Sequence, residues 1–232
     1  LRLKRDADGI SLEGTGLELS REGAPWRPTN ISATLKQRDG RIASIAARAD
    51  YLRIENLAAF SSLLSAGPLR EKLEALTPRG ELFGLDAAVT DLGEGRLPDI
   101  SGRVRFADLG FEAFGKVPGL QGLDGAIEGR GAGGVVHLAT RDGLVSWPLQ
   151  WRAIAELRQA DGRIEWNRFG SGVRLWVDEA VIDTGHGIAR GKLRMAFRPG
   201  QLPLMDLTAS VADFDATQVW RYLPIEQLKP KS

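Results

Sequence analysis

Cysteine is absent from the 232 residues, which removes disulfides, thiolate nucleophiles and Cys-ligated zinc together. Histidine is almost absent: His137 and His186 alone cannot build an imidazole-rich metal site. No run approaches the roughly 18 to 20 apolar residues that a membrane-spanning helix needs. An excess of one charge is also missing, with 31 Lys+Arg against 30 Asp+Glu and a net of +1, which argues against a dedicated nucleic-acid binder. These absences leave no metal, no cofactor and no nucleic-acid partner to expect. The lack of cysteine suits an oxidising compartment without demanding one. The chain opens on Leu1 rather than Met and reads as an excerpt of a longer protein.

What is present is alternation. Hydrophobic residues make up 43% of the chain and recur with period 2 between Gly, Asp-Gly and Pro breaks, the pattern of antiparallel strands. Ile31, Ala33 and Leu35 share a face, and Arg38-Asp-Gly-Arg41 has hairpin-turn chemistry leading into a second strand towards Tyr51. Phe83, Leu85, Ala87 and Val89 alternate, as do Val104 and Phe106. Asp161-Gly162 reads as another turn before Ile164 and Trp166. Then come Val173, Leu175 and Val177, next Leu193, Met195 and Phe197, and last Leu207, Ala209 and Val211. Helical spacing is confined to about 57–76, with Pro68, Leu69, Glu71, Leu73 and Leu76, and to a turn around Gln218–Tyr222 ended by Pro224. Asp50-Tyr51 before the first helix and Asp213-Phe214 before the second suggest an internal repeat. The expected fold is mainly β: an antiparallel meander forming an elongated, curled sheet or open gutter with one or two short helices. The expected division is 1–98, including the helical insertion, and 99–232, within one continuous β structure.

Sharper motifs yield to structural readings. Gly129-Arg-Gly131-Ala-Gly-Gly134 matches the dinucleotide pattern G-x-G-x-x-G, but the following Val135–Thr140 reads as a strand where a helix would have to hold the pyrophosphate, so a hairpin is expected. Gly185-His186-Gly187 suits a tight turn, since neither a Cys nor a Ser-centred elbow accompanies it. His137 fits a half-buried strand position. Glu165, Asp178 and Glu179 raise a glycosidase-like pair, but adjacent residues of a regular strand point to opposite faces, so Asp178 and Glu179 are not expected to form that pair. No catalytic residue is assigned.

The ordered run Phe114-Gly-Lys-Val-Pro-Gly-Leu-Gln-Gly-Leu-Asp-Gly125, a Gly-rich hairpin, Leu144-Val-Ser-Trp-Pro-Leu149, Gly162-Arg-Ile-Glu-Trp166 and Asp213-Phe214 through Trp220-Arg-Tyr-Leu-Pro224 resembles the periplasmic region of the AsmA-like proteins, of the YhdP type, relatives of TamB. The likeness covers most of the chain and is strongest from about Asp99 to Pro230. It implies a non-catalytic segment of a Gram-negative envelope protein, tethered to the inner membrane through parts outside this segment. Its partner would be phospholipid, sheltered in an apolar β groove on its way to the outer membrane. The alternative is a closed structural or interaction module that docks envelope components. On the strand faces above, the expected groove lining is Phe83, Leu85, Val89, Val104, Phe106, Ile164, Trp166, Val173, Leu175, Val177, Leu193, Met195, Phe197, Leu207 and Val211. Trp176, out of phase with its neighbours, would cover the opposite face.

Overall fold

In the computed structural model, residues 1–6, 9–18, 20–21, 24–25, 27–38, 41–57, 75–90, 99–115, 117–148 and 151–222 are described. Twelve strands form one sheet: β1 (Arg2–Asp6), β2 (Gly9–Leu17), β5 (Thr29–Arg38), β6 (Arg41–Arg53), β7 (Arg79–Thr90), β8 (Asp99–Phe111), β9 (Gly119–Arg130), β10 (Gly133–Ser146), β11 (Ala155–Phe169), β12 (Gly172–Asp183), β13 (Ile188–Phe197) and β14 (Leu204–Ala212). Two-residue strands β3 (Ser20–Arg21) and β4 (Ala24–Pro25) pair separately. Each long strand pairs antiparallel with its predecessor, and among the described residues β1 and β14 are the free edges, so the meander is open rather than a barrel. β7 and β8, on either side of the expected boundary between 98 and 99, pair directly with each other.

Register sorts the side chains onto two unlike faces, because cross-strand partners share a side. One unbroken row takes one residue from each of the twelve strands: Leu3, Leu12, Ala33, Ala47, Ala87, Gly102, Gly129, Gly134, Trp166, Leu175, Met195 and Met205. None is polar. The row one residue away, on the other face, is Arg2, Glu13, Ser32, Arg48, Asp86, Arg103, Glu128, Val135, Glu165, Trp176, Arg194 and Asp206. In its middle, Arg48, Asp86, Arg103 and Glu128 alternate in sign, and Arg48 and Asp86 meet at 3.2 Å. Water is the natural neighbour of that face.

The sheet bends because its register breaks. Gly84 (φ 60°), Asp108 (φ 50°), Gly122 (φ 70°) and Asp142 (φ 57°) adopt left-handed backbone at breaks between β7 and β8, β8 and β9, and β9 and β10. Such bulges bend a strand and increase its twist. The apolar face curls inward there, and Phe106, Leu123, Leu157 and Ala160 of β8, β9 and β11 form a buried cluster with Leu138 and Val145 of β10 packed against it.

Several local expectations change. Asp161-Gly162 is no turn: β11 runs through it, with Gly162 opposite Leu138 and Ala180. A Cβ at Gly162 would meet its neighbours only at ordinary contact distances, 3.6 Å and beyond, so the position needs neither a turn nor a glycine. The first helix begins earlier than expected, as α1 (Ile54–Leu57), and 58–74 with Pro68, Leu69, Glu71 and Leu73 lie outside the described residues. The second is a 3-10 helix, Ala216–Arg221, whose N-cap Asp215 accepts from the Thr217 N–H; Pro224 lies outside the described residues. Helical turns thus follow both Asp50-Tyr51 and Asp213-Phe214.

Candidate functional site

Among the described residues, the apolar face is the large feature on which the expected lining residues fall. Leu85, Val89, Val104, Phe106, Ile164, Trp166, Val173, Leu175, Val177, Leu193, Met195, Phe197, Leu207 and Val211 all fall on it by register. Phe83 does not continue this strip. The Gly84 bulge shifts the register, Leu82 packs against Phe106 in its place, and Phe83 meets the Tyr51 ring at 5.4 Å beneath the Arg27 guanidinium.

Exposure along the face is uneven. Phe106 is 4% exposed in the filled centre, whereas Met205, Leu207 and Val211 on β14 are about 60% exposed. Ile10 and Ile45 at the other end of the sheet are also solvent-exposed. Beside the filled cluster lies a cavity of about 270 Å³, lined from five successive strands by residues including Leu85, Val104, Ile127, Gly129 and Trp166. A cavity of ~150 Å³ already admits benzene, so this one is large enough for part of an aliphatic chain.

Glycine shapes the cavity floor. The indole of Trp166 lies over Gly129 and Gly134, where a Cβ at Gly134 would collide with the ring. These are two of the glycines of the dinucleotide-like motif, and they form the β9–β10 hairpin flank, as expected. Their role is to let an aromatic ring approach the backbone. The pairing of Gly134 with Trp166 depends on register, which no local sequence signal reveals.

The remaining motifs sit elsewhere. Trp176 is on the charged face, between Glu165 and Arg194. His137 is exposed on that face, a correction to the half-buried position, because its alternation phase follows the charged row. His186 occupies a tight turn in which the Thr184 N–H donates to the Gly187 carbonyl. Asp178 and Glu179 correct the strand geometry expected for them. A bulge inserts both opposite one residue of each neighbouring strand, Arg163 and Lys192, and both line the same shallow outer depressions. Arg163 pairs with Glu165 at 3.0 Å, so cations are interleaved with these open carboxylates. Beside them, hydrogen bonds from the Arg141 guanidinium and then the Gln159 amide hold Asp161 below the usual carboxylate range. This is a solvated charge network.

Among the described residues, no helix is long and apolar enough to cross a membrane, and no group of three or more His, Cys, Asp or Glu is arranged to hold a metal. Against known proteins, a family model described as "YhdP protein" matches residues 1–232. No curated protein and no solved structure matches.

Proposed function

The chain belongs to the YhdP family, and from that premise we propose that it is a periplasmic segment of an inner-membrane-tethered envelope protein that shelters phospholipid acyl chains during transfer to the outer membrane. The observation that carries the reading is the twelve-residue row without a polar residue, one residue per strand, of which Gly102, Gly129 and Gly134 in the middle carry no side chain. Eleven inter-strand steps of about 4.8 Å give this strip a length of roughly 50 Å. Each methylene transferred from water to such a surface gains ~0.8 kcal/mol, so a continuous apolar strip suffices to hold a chain without any chemistry at a fixed point. The strip makes no bond and moves no proton, in keeping with a non-catalytic role.

The runner-up, a structural or interaction module, draws on one observation: the centre of the face is filled by Phe106, Leu123 and Leu157. Native mass spectrometry of the segment, purified without detergent from a Gram-negative periplasm, separates the two. Leu207→Asp puts a charge on an exposed part of the strip, and Thr208→Asp puts the same charge on the other face of the same strand. Co-purifying phospholipid that is lost in Leu207→Asp and retained in Thr208→Asp is the expected result. A folded, monodisperse protein that takes up no lipid even when offered it leaves the module reading.

A further inference from the structure

The cavity beside the filled centre is not wholly apolar, because one of its walls carries a cation. Arg168 lines it, two residues beyond Trp166 on β11. Residues two apart on a regular strand share a face, and Arg168 pairs with Val173, which pairs with Phe197 on the apolar side. Arg103 also lines the cavity but belongs to the charged row of the opposite face. Asp99 precedes the apolar-side Ile100 by one residue and so belongs to that opposite face by register. Among the described residues, no Asp or Glu lines the cavity.

The cation is held in place. The Arg168 N–H donates to the Ala132 carbonyl at 2.6 Å, which ties this end of β11 to the β9–β10 turn beside the cavity. The side chain is half-buried and already engaged within the protein, and a guanidinium with five donors can hold a protein neighbour and an anion together. Partial burial reduces screening by water, so an anion gains more here than at an exposed arginine. The space itself selects. At about 270 Å³ it is less than twice the ~150 Å³ that admits one benzene, so it takes one aliphatic chain and not the two chains of a phospholipid side by side.

We propose that this cavity binds a single aliphatic chain ending in an anion, a fatty-acid carboxylate or a lysophospholipid phosphate. The chain lies against Val104, Ile127 and Trp166, and the anion sits on the Arg168 guanidinium. Carboxylate and phosphate present the same paired oxygens to a guanidinium fork, so the two heads share one chemistry. The site stands apart from phospholipid sheltering on the long strip, which needs neither this cavity nor Arg168.

The test uses the whole chain and four probes below their micelle concentrations: laurate, lauroyl lysophosphatidylglycerol, dodecanol and a two-chain phosphatidylglycerol. Affinities are read by tryptophan fluorescence titration and native mass spectrometry, with far-UV circular dichroism to check folding. Arg168→Gln removes the cation, Ala87→Leu fills the cavity, and Arg194→Gln removes a charge from the opposite face. The expected result is a roughly tenfold loss of laurate and lysophosphatidylglycerol affinity in Arg168→Gln with dodecanol unchanged, weaker binding of all three in Ala87→Leu, and no change in Arg194→Gln. A response from only one of the two acids identifies the head as carboxylate or phosphate. Equal effects of Arg168→Gln on the acids and the alcohol, or equal losses in Arg168→Gln and Arg194→Gln, overturn the anion site. Single-chain affinities that survive Ala87→Leu, or phosphatidylglycerol that competes for the cavity as well as laurate does, overturn the one-chain site. Binding of no single-chain probe to the unmodified chain overturns the proposal, whereas the strip is judged separately by the loss of phospholipid in Leu207→Asp.

Discussion

Two threonines mend the ladder where it breaks. Thr29 is 1% exposed; its hydroxyl donates to the Tyr51 carbonyl at 2.8 Å and accepts from the Tyr51 N–H at 3.1 Å. Thr140, fully buried, accepts from the Asp124 N–H at 3.0 Å and lies 3.4 Å from the Asp124 carbonyl, beside the β9–β10 register break. In each case a side chain takes over bonds the displaced backbone cannot make, and burial makes their loss expensive. Thr140→Val keeps the shape and strands both Asp124 groups, so urea denaturation is expected to record a loss of about 1–3 kcal/mol, with Thr140→Ser close to the parent. Tyr51 adds a pH signature. Burial, then its 2.6 Å hydrogen bond to Glu81, raises its phenol from 10.0 to about 12. The folded value lies above the unfolded one, so this stabilisation is whole below pH 10 and fades as pH rises towards 12. The rise corresponds to ~3 kcal/mol at most. Urea midpoints of the parent should therefore fall more steeply than those of Tyr51→Phe between pH 10 and 12; parallel curves would show that the phenol is not held this way.

At the scale of elements, what could be read in advance was periodicity, and what could not was pairing. Alternation alone located the strand faces of Val173–Val177, Leu193–Phe197 and Leu207–Val211, because a strand with one apolar and one charged face repeats every two residues. Bulges defeat that reasoning. Gly84 moved Phe83 off the strip, and the bulge at Asp178–Glu179 gathered two adjacent carboxylates into the same depressions; both depend on the neighbouring strand. Asp161-Gly162 has turn chemistry but lies within a strand held on both sides, so tertiary pairing overrode local preference. The cavity was hidden for a similar reason, since its glycine floor and its Trp166 wall come from different strands. A pair of substitutions checks that construction. Gly129→Ala places a Cβ 3.7 Å from the Trp166 ring, an ordinary contact, and should be neutral or stabilising by up to ~1 kcal/mol. Gly134→Ala drives a Cβ into the indole and to 2.5 Å from the Glu128 carbonyl oxygen, and should cost about 1–3 kcal/mol in thermal or urea unfolding. Equal effects at the two glycines would mean that the indole does not lie over this floor.

For the whole molecule, the contrast between the faces sets both stability and direction of use. A membrane-spanning barrel turns its apolar side chains outward. Here the apolar side is the one the sheet curls around, and the outward side carries the Arg48–Asp86–Arg103–Glu128 row. That contrast is what supports the proposed sheltering of acyl chains. The sheet's cohesion is graded: the centre is stitched by the Phe106–Leu123–Leu157 cluster, while all nine residues of β14 are exposed and, among the described residues, one of its edges is unpaired. Local opening follows buried contact, so hydrogen exchange should be slowest in β8–β11 and fastest in β1 and β14. A bound acyl chain adds contacts where the face is open and has little to add where it is filled. Phospholipid should accordingly slow exchange across Val173–Val177, Leu193–Phe197 and Leu204–Ala212 and leave Phe106 and its neighbours nearly unchanged. Protection confined to β8–β11 would instead require the central cluster to separate and admit the chain, and the conduit would then run through the core of the sheet.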